Sequence, residues 1–464
     1  MIASLCFTLC CTLLQTEARN TGIQLQSAIQ LIPEFRASEN ERNRIAQLLS
    51  DLSESGSLDP SANGKRLLKL IGWQLYPDSV ADFPSPLVEQ FLLDGQFANG
   101  ETALLLALDT NPMDDELRFG LGVLQFVRAV ENLGKGLYEY GAVSANSRTP
   151  FLRLPVPQNP TPSPISYKAF GRMLDLFAAD LSRAEATLAM IGDDNVKLRL
   201  RLANIKFDFT GTGENQTTLL DVLAKLNGGR FLFEIANPEF RIHFDRGDVA
   251  WLRAYCHLLC AMVDGYRSID LEAEFAQRVA SVFPNVVSSR KTTNPSAGVA
   301  SFQLQVVDST RLRQMRQHLL AVCKLNPETW IYIRKETDDD YEWLSHPKQT
   351  DQLSLPISDD MIDRWLATME QLEGLLDGER LVSPLMLGNI GAIPLGKGLA
   401  LNLRKVLDDP PVDLLNYQRI VEEGIDEKYY EVAKNKKEFE ITAVLALLQL
   451  FQGPFSFAHA ARLN

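Results

Sequence analysis

FRIHFDRGDVAWLRAYCHLLCAMVDG, residues 240–265, decides the fold. After Asp245 nearly every position is apolar, the exceptions being Arg246, Asp248, Arg253, His257 and Asp264. At about 100° per residue on a helix, Arg246, Arg253, His257 and Asp264 fall within roughly 40° of one another. A helix of this kind is enclosed on most of its circumference and carries one thin polar edge. It is therefore expected to be central, with that edge as the candidate functional groove.

Working outward from that helix, the chain is built for helices throughout. Ser38 and Glu41 form a capping box ahead of Ile45, Leu48, Leu49 and Leu52. Shorter helices are expected over residues 66–76 and 86–94. Between Gly100 and Gly141, the run ALDTNP (107–112) followed by Leu121-Gly122 is similar to the joint between two tetratricopeptide repeats. The polar line Arg118, Gln125, Asn132, Lys135 and Glu139 keeps one phase to Tyr140, and Gly122, Ala129 and Gly136 form a small-residue seam. One long helix with a closely packed neighbour is expected there rather than a repeat array. Glu131 lies off that line, beside Leu124, Val127 and Tyr138, so it needs a partner or a proton.

Pro150 to Pro164 contains six prolines, which excludes helix and central strand. It is expected to be a linker or an ordered strap. Tyr167, Phe170, Leu174, Phe177, Leu181, Ala184 and Leu188 mark an amphipathic helix. Met361, Ile362, Trp365, Leu366, Met369, Leu372 and Leu376 mark another, and Phe439 to Phe451 a third. Strand candidates are few: residues 240–244, 302–307 and 330–334, with 196–202 readable as strand or helix. The fold class expected is mainly α, a packed helical bundle or repeat-like architecture with a few short strands. Its divisions are 19–149, a Pro-rich segment at 150–166, 167–290 and 300–464.

The 464 residues carry a net charge of −13, with 45% hydrophobic and 23% charged residues. That is globular composition, and its acidity argues against nucleic acid as a partner. Residues 2–14 are an uncharged apolar run, followed by Thr16-Glu17-Ala18 with small residues at the positions a signal peptidase reads. Export through a cleaved signal peptide at residues 1–18 is expected, to the periplasm or beyond. No later stretch approaches ~20 uninterrupted apolar residues, so no transmembrane segment is expected. Cys256, Cys260 and Cys323 lie downstream of that run, too few for a disulfide framework, and are read as core thiols.

Several motifs bear on chemistry. Asp208, Thr210, Thr212, Gly213 and Glu214 follow the register of an EF-hand loop, but position twelve is Leu219 in place of the bidentate Glu. The loop reads as a vestigial calcium loop, so no cofactor is expected and Ca²⁺ is the one metal it suggests. Glu336, Asp338, Asp339, Asp340 and Glu342 form the densest acidic run, read as a solvated loop, with a second calcium site or an amine site as the alternative. Residues 391–398, GAIPLGKG, nearly spell a phosphate-binding loop. Gly398 replaces the Ser or Thr that would hold Mg²⁺, and Pro394 removes an amide, so nucleotide binding is not expected. HExxH, CxxC and GxSxG are absent, and no two of the five histidines share ligand spacing.

The stretches FDRGDVAWLRAYCHLL from Phe244, ETDDDYEW from Glu336, HPKQT from His346 and LNLRKVL from Leu401 resemble a family of exported bacterial proteins to which no activity is assigned. The resemblance runs from about Gly100 to Asp426 and implies export but no reaction. In that family the loop at the Asp208 position more often looks like a true calcium loop, from which the threonines here depart. Two functions are expected to compete. One is a non-enzymatic binding or structural protein acting on a protein or envelope component. The other is a hydrolase using Arg253 and His257, with Asp264 or Glu131 as acidic partner.

Overall fold

The computed structural model describes residues 85–147, 149–214, 216–226, 241–287, 305–337, 342–349, 358–383, 399–414, 424–432 and 437–439. The helices expected over 38–56 and 66–76, the 391–398 loop and most of 439–451 lie outside these residues, as does the 1–18 run.

The protein is mainly α-helical, as its periodicities require. Helix α1 (Leu87–Asp94) ends on Gly95 in the left-handed region, and α2 (Phe97–Thr110) follows at once. Helix α3 (Asp115–Glu139) is the single long helix expected: Asp114 caps it by accepting from the Leu117 amide, and it runs unbroken for 25 residues. After a pair of 3₁₀ turns comes α4 (Tyr167–Leu188), capped by Ser166. Strand β1 (Leu198–Leu200) leads through a 3₁₀ turn to β2 (Lys206–Phe207), which pairs with β3 (Thr217–Thr218) ahead of α5 (Leu219–Leu226). The alternating 196–202 segment is thus one short strand and one tight turn.

Strand β4 (Ile242–Phe244) pairs antiparallel with β1 and delivers the chain into the central helix α6 (Arg246–Arg267). Asp245 caps α6 by accepting from the Gly247 and Asp248 amides, and Asp248 returns the favour to the Asp245 amide. Both carboxylates sit where the helix dipole favours negative charge. Next come α7 (Glu272–Val279), α8 (Ser309–Ile333) and α9 (Asp359–Asp377). Strand β5 (Arg380–Leu381), β6 (Leu399–Leu401), α10 (Leu403–Asp408), β7 (Tyr430–Val432) and β8 (Lys437–Glu438) close the described chain. β6 pairs antiparallel with β7, and β5 pairs parallel with β8.

Consecutive long helices pack as an antiparallel row: α2 on α3, α3 on α4, α4 on α6, α6 on α8, α8 on α9. Side-chain pairs mark three of these seams, and between α3 and α4 the order Gln125–Thr187 then Asn132–Asp180 shows the antiparallel sense. Gln125 of α3 reaches Glu101 of α2, Asn132 of α3 reaches Asp180 of α4, and Trp365 of α9 donates to Asn326 of α8. The small-residue seam of α3 is the face presented to α4: a Cβ on Gly122 would stand 2.5 Å from Leu188, and one on Gly136 would stand 2.8 Å from Met173. Among the described residues two large apolar cores result, with a small third cluster around Ile242. The first runs from Val88 to Phe283 and includes Leu152, Leu154 and Ile165. The second joins Ala261 to α8, α9, α10 and Tyr430.

One expectation changes. Residues 330–334 are not a strand but the last turn of α8, whose Trp330 and Ile333 are buried in the second core. The aromatic and β-branched run favours a strand locally, yet burial of one helical face overrides it. The proline segment 150–166 is an ordered strap. Asn159 Nδ2 donates to Tyr138 O, the Ser163 backbone amide to Glu139 O, and Ile165 bridges Val286, so a single core lies on both sides of it.

Candidate functional site

The polar edge of α6 exists, and it points into the seam between α4 and α8. At its start, Arg246 pairs with Glu328 of α8 at 3.0 Å. About two turns further on, Arg253 Nε donates to Glu185 of α4 at 3.0 Å, and His257 Nε2 stands 3.5 Å from the same oxygen. His257 Nδ1 meets His318 Nδ1 of α8 at 2.8 Å, a contact in which one ring donates and the other accepts. His318 Nε2 lies 3.7 Å from Asp264, whose other oxygen accepts from Arg311 at 3.0 Å. Arg311 also reaches Asp175 of α4 at 3.0 Å, and Arg267 donates to the same carboxylate.

The result is one ladder, Arg253–Glu185–His257–His318–Asp264–Arg311–Asp175–Arg267. Its three arginines match its three carboxylates, so with both imidazoles neutral it carries no net charge. Burial pushes Glu185 up, but the hydrogen bonds and charges of His257 and Arg253 outweigh it and hold the carboxyl below its usual range. For Asp264 burial prevails over Arg311, and its carboxyl is raised. Burial, with His257 beside it, lowers His318 to about 4.

A cavity of about 310 Å³ opens beside the lower half of this ladder, between α4 and α8. Asp175, Ser182, Cys260, Asp264, Asp308, Arg311 and His318 are among its walls. Arg253 and His257 are not. Of the residues expected to form a catalytic set, only Asp264 reaches this cavity. Arg253 and His257 are spent on Glu185 and His318. Glu131 stands apart on α3, where its carboxylate takes Lys135 Nζ at 2.5 Å and the Asp208 amide at 2.8 Å. The pairing that the position of Glu131 demanded is met by a lysine one turn on and by a loop amide.

That amide belongs to the EF-hand-like loop. One Asp208 oxygen accepts from the Thr210 and Gly211 amides and the Thr210 hydroxyl; the other accepts from the Gly213 amide at 2.8 Å. Burial raises the Asp208 carboxyl, but these bonds prevail and hold it below its usual range. Thr210 and Thr212 hydroxyls bond each other at 2.7 Å, and the Glu214 amide donates to Thr212. Gly211 and Gly213 take φ of 74° and 77°, which this self-closing turn requires. Phe209 drives into the core, where a Cβ on Gly134 would meet its ring at 2.2 Å. The loop's oxygens turn inward onto its own backbone, and Leu219, at the twelfth position, opens α5.

The second acidic region gathers differently from its sequence. Asp338, Asp339 and Asp340 lie outside the described residues. Their flanking neighbours Glu336 and Glu342 converge on Asp245, one oxygen of each within 4.8 Å of the others. Glu342 is 1% exposed and sits opposite His243 in a parallel bridge beside β4. Both Glu336 oxygens are sealed from solvent and accept no hydrogen bond.

The residues missed by sequence reasoning are the partners: Glu185, His318, Arg311 and Asp175. Each is a charged or polar residue on the inward half of an amphipathic helix, and that misplacement is the only trace the sequence carries of them. Neither a family model, nor a curated protein, nor a solved structure matches this chain.

Proposed function

We propose that this is a binding protein rather than a catalyst, and that the cavity between α4 and α8 receives a small organic cation such as an aliphatic amine. The observation that carries this reading is the charge of the walls. Asp175, Asp264 and Asp308 face the space; Arg311, bonded to the first two, and Arg267, bonded to Asp175, offset two of these charges and leave that of Asp308 in surplus. His318 beside them is held neutral near pH 7, its burial lowering it to about 4. A pocket with surplus carboxylate favours an ammonium group, which donates charge-assisted hydrogen bonds to oxygen. Its volume of about 310 Å³ stands at the small end of ligand sites, which run from ~300 to 1,000 Å³.

The hydrolase alternative needs a general base with a free nitrogen facing substrate. Both nitrogens of His257 are engaged by Glu185 and His318. Export to the envelope is part of the proposal and rests on the apolar run 2–14. Mass spectrometry of the secreted or periplasmic fraction should find a chain starting near Arg19, and an intact N-terminus in the cytoplasm would remove the export reading.

Calorimetric titration of the full chain with putrescine and spermidine tests the cavity. Saturable heat that disappears in Asp264→Asn, with circular dichroism unchanged, is expected. No heat with either amine at millimolar concentration, or heat unaltered by Asp264→Asn, would overturn it.

A further inference from the structure

The contact between two imidazoles fixes where their hydrogens lie, and with them the chemistry of one wall of the α4–α8 cavity. His257 Nδ1 and His318 Nδ1 stand 2.8 Å apart, so one ring carries a hydrogen there and the other presents a lone pair. A neutral imidazole has a single N–H. The ring that donates from Nδ1 therefore has a bare Nε2, and the ring that accepts carries its hydrogen on Nε2.

The carboxylates at the two ends choose between these arrangements. His257 Nε2 is 3.5 Å from Glu185 Oε1, and His318 Nε2 is 3.7 Å from Asp264 Oδ2. Glu185 is the nearer and the more firmly ionised of the two. Against the burial that raises it, His257 and Arg253 hold its carboxyl below the usual range, whereas at Asp264 burial prevails. A lone pair turned on Glu185 is therefore repelled more strongly than one turned on Asp264. His257 thus carries its hydrogen on Nε2 and accepts at Nδ1, while His318 donates from Nδ1 and leaves Nε2 bare. That nitrogen and Asp264 Oδ2 are two neighbouring acceptors on residues that line the cavity. Among the described residues no donor bonds either: Arg311 takes the other oxygen of Asp264, and the Ser182 hydroxyl turns back to Ala178 O. Acceptors so placed call for a donor from the cavity's contents. Burial, with His257 beside it, lowers His318 to about 4, so near pH 7 its Nε2 receives hydrogen bonds and not protons.

We propose that His318 Nε2 and Asp264 Oδ2 together receive the N–H groups of the ligand's ammonium, so that the cavity takes protonated primary amines and refuses quaternary ammonium ions. This inference rests on the amine-binding reading of the cavity and adds what the cavity selects. Carboxylates alone attract any organic cation of fitting size by charge. An imidazole lone pair rewards only a cation with a hydrogen to give. Full methylation of the ligand nitrogen leaves both acceptors unpaired, and a site built for a polar hydrogen rejects the analogue that lacks it. His318 is then a ligand-binding residue. His257, which does not line the cavity, is a positioning residue that sets the tautomer of His318 from behind.

The test uses the full chain with its five histidines labelled with ¹⁵N, because nuclear magnetic resonance of the ring nitrogens reads which of them carries hydrogen. In the free protein at pH 7, His257 is expected as the Nε2–H form and His318 as the Nδ1–H form. The His318 Nε2 resonance should then move as putrescine is added. Calorimetry compares putrescine with its hexamethylated, doubly quaternary analogue, which should bind about tenfold more weakly or worse. That preference should disappear in His318→Leu, with circular dichroism unchanged. A hydrogen on His318 Nε2 in the free protein, or an Nε2 resonance that stays still while putrescine gives heat, would overturn the assignment and leave the amine reading standing. A preference that survives His318→Leu would trace to the size of the methylated ion and would overturn it as well. No heat with putrescine and no movement of the resonance would overturn both readings. Should His318→Leu not fold, the resonances of the wild-type chain decide.

Discussion

His318 shows how much of this protein's behaviour depends on single buried groups. The groups facing it are His257 and Asp264 from α6, with Glu185 of α4 beyond them. Burial lowers it from 6.5 to about 4, so between those values the unfolded chain binds a proton that the folded one refuses. Its contribution is fully present above pH 6.5 and is lost as pH falls toward 4. The loss is on the order of 2–3 kcal/mol for a side chain that is 25% exposed. Urea midpoints at pH 7 and pH 4.5 should therefore drop more in the wild type than in His318→Asn, and parallel drops would refute the assignment. Glu89 works on the acid side. Buried at 1% exposure, it accepts from the Arg201 amide and guanidinium at 3.0 Å and from Arg241. Burial raises its carboxyl, but the Arg201 and Ser85 contacts outweigh it and the net direction is down. Glu89→Gln should cost about 3 kcal/mol in urea unfolding at pH 7, by stranding two guanidinium groups. That cost should shrink as pH falls below 4.5, where Glu89 of the unfolded chain takes up a proton that the folded carboxylate, held lower, still refuses. At this scale the sequence names the atypical residues but not their partners. His257 and His318 lie in different helices, and nothing in their spacing says that their rings touch.

Among elements, the polar lines were legible and their destination was not. A stripe of polar residues on an apolar helix suggests an edge left to water. On α3, Gln125 instead bonds Glu101 of α2 and Thr187 of α4, and on α6 the edge is roofed by Glu185 and His318. The stripes are seams between neighbours, because a helix flanked on two sides has little solvent face left. The glycine seam of α3 was legible for the opposite reason. Small residues seven apart have little use except close approach, and α4 fills it. Gly122→Ala replaces the poorest helix former after proline with the best, a gain of about 1 kcal/mol, but its Cβ would meet Leu188 at 2.5 Å. Overpacking of this kind costs about 1–3 kcal/mol, so a net loss is expected and a higher denaturation midpoint would refute the packing. Residues 330–334 misled because local preference for strand is weaker than the burial of Trp330 and Ile333 on a helix already 21 residues long (309–329) by that point.

For the whole molecule, the mainly α class and the central place of α6 followed from periodicity, while the existence of two cores did not. Both cores use α6: Cys256, Leu259 and Val263 belong to the first and Ala261 to the second, and Trp251 packs against each. A helix that is a wall of both cannot lose one without exposing part of its surface to water. Calorimetry of the full chain should thus give one endotherm for the described helices, with calorimetric and van't Hoff enthalpies equal. Two resolved endotherms would mean that the cores melt independently. The shared helix also matters while the chain is being made. α6 leaves the ribosome well before α8 has been translated, so the flank bearing Trp251 and Ala261 waits without its cover. Apolar surface exposed in this way is aggregation-prone, and a factor that shields nascent apolar surface would have a target on a chain arrested between the two helices.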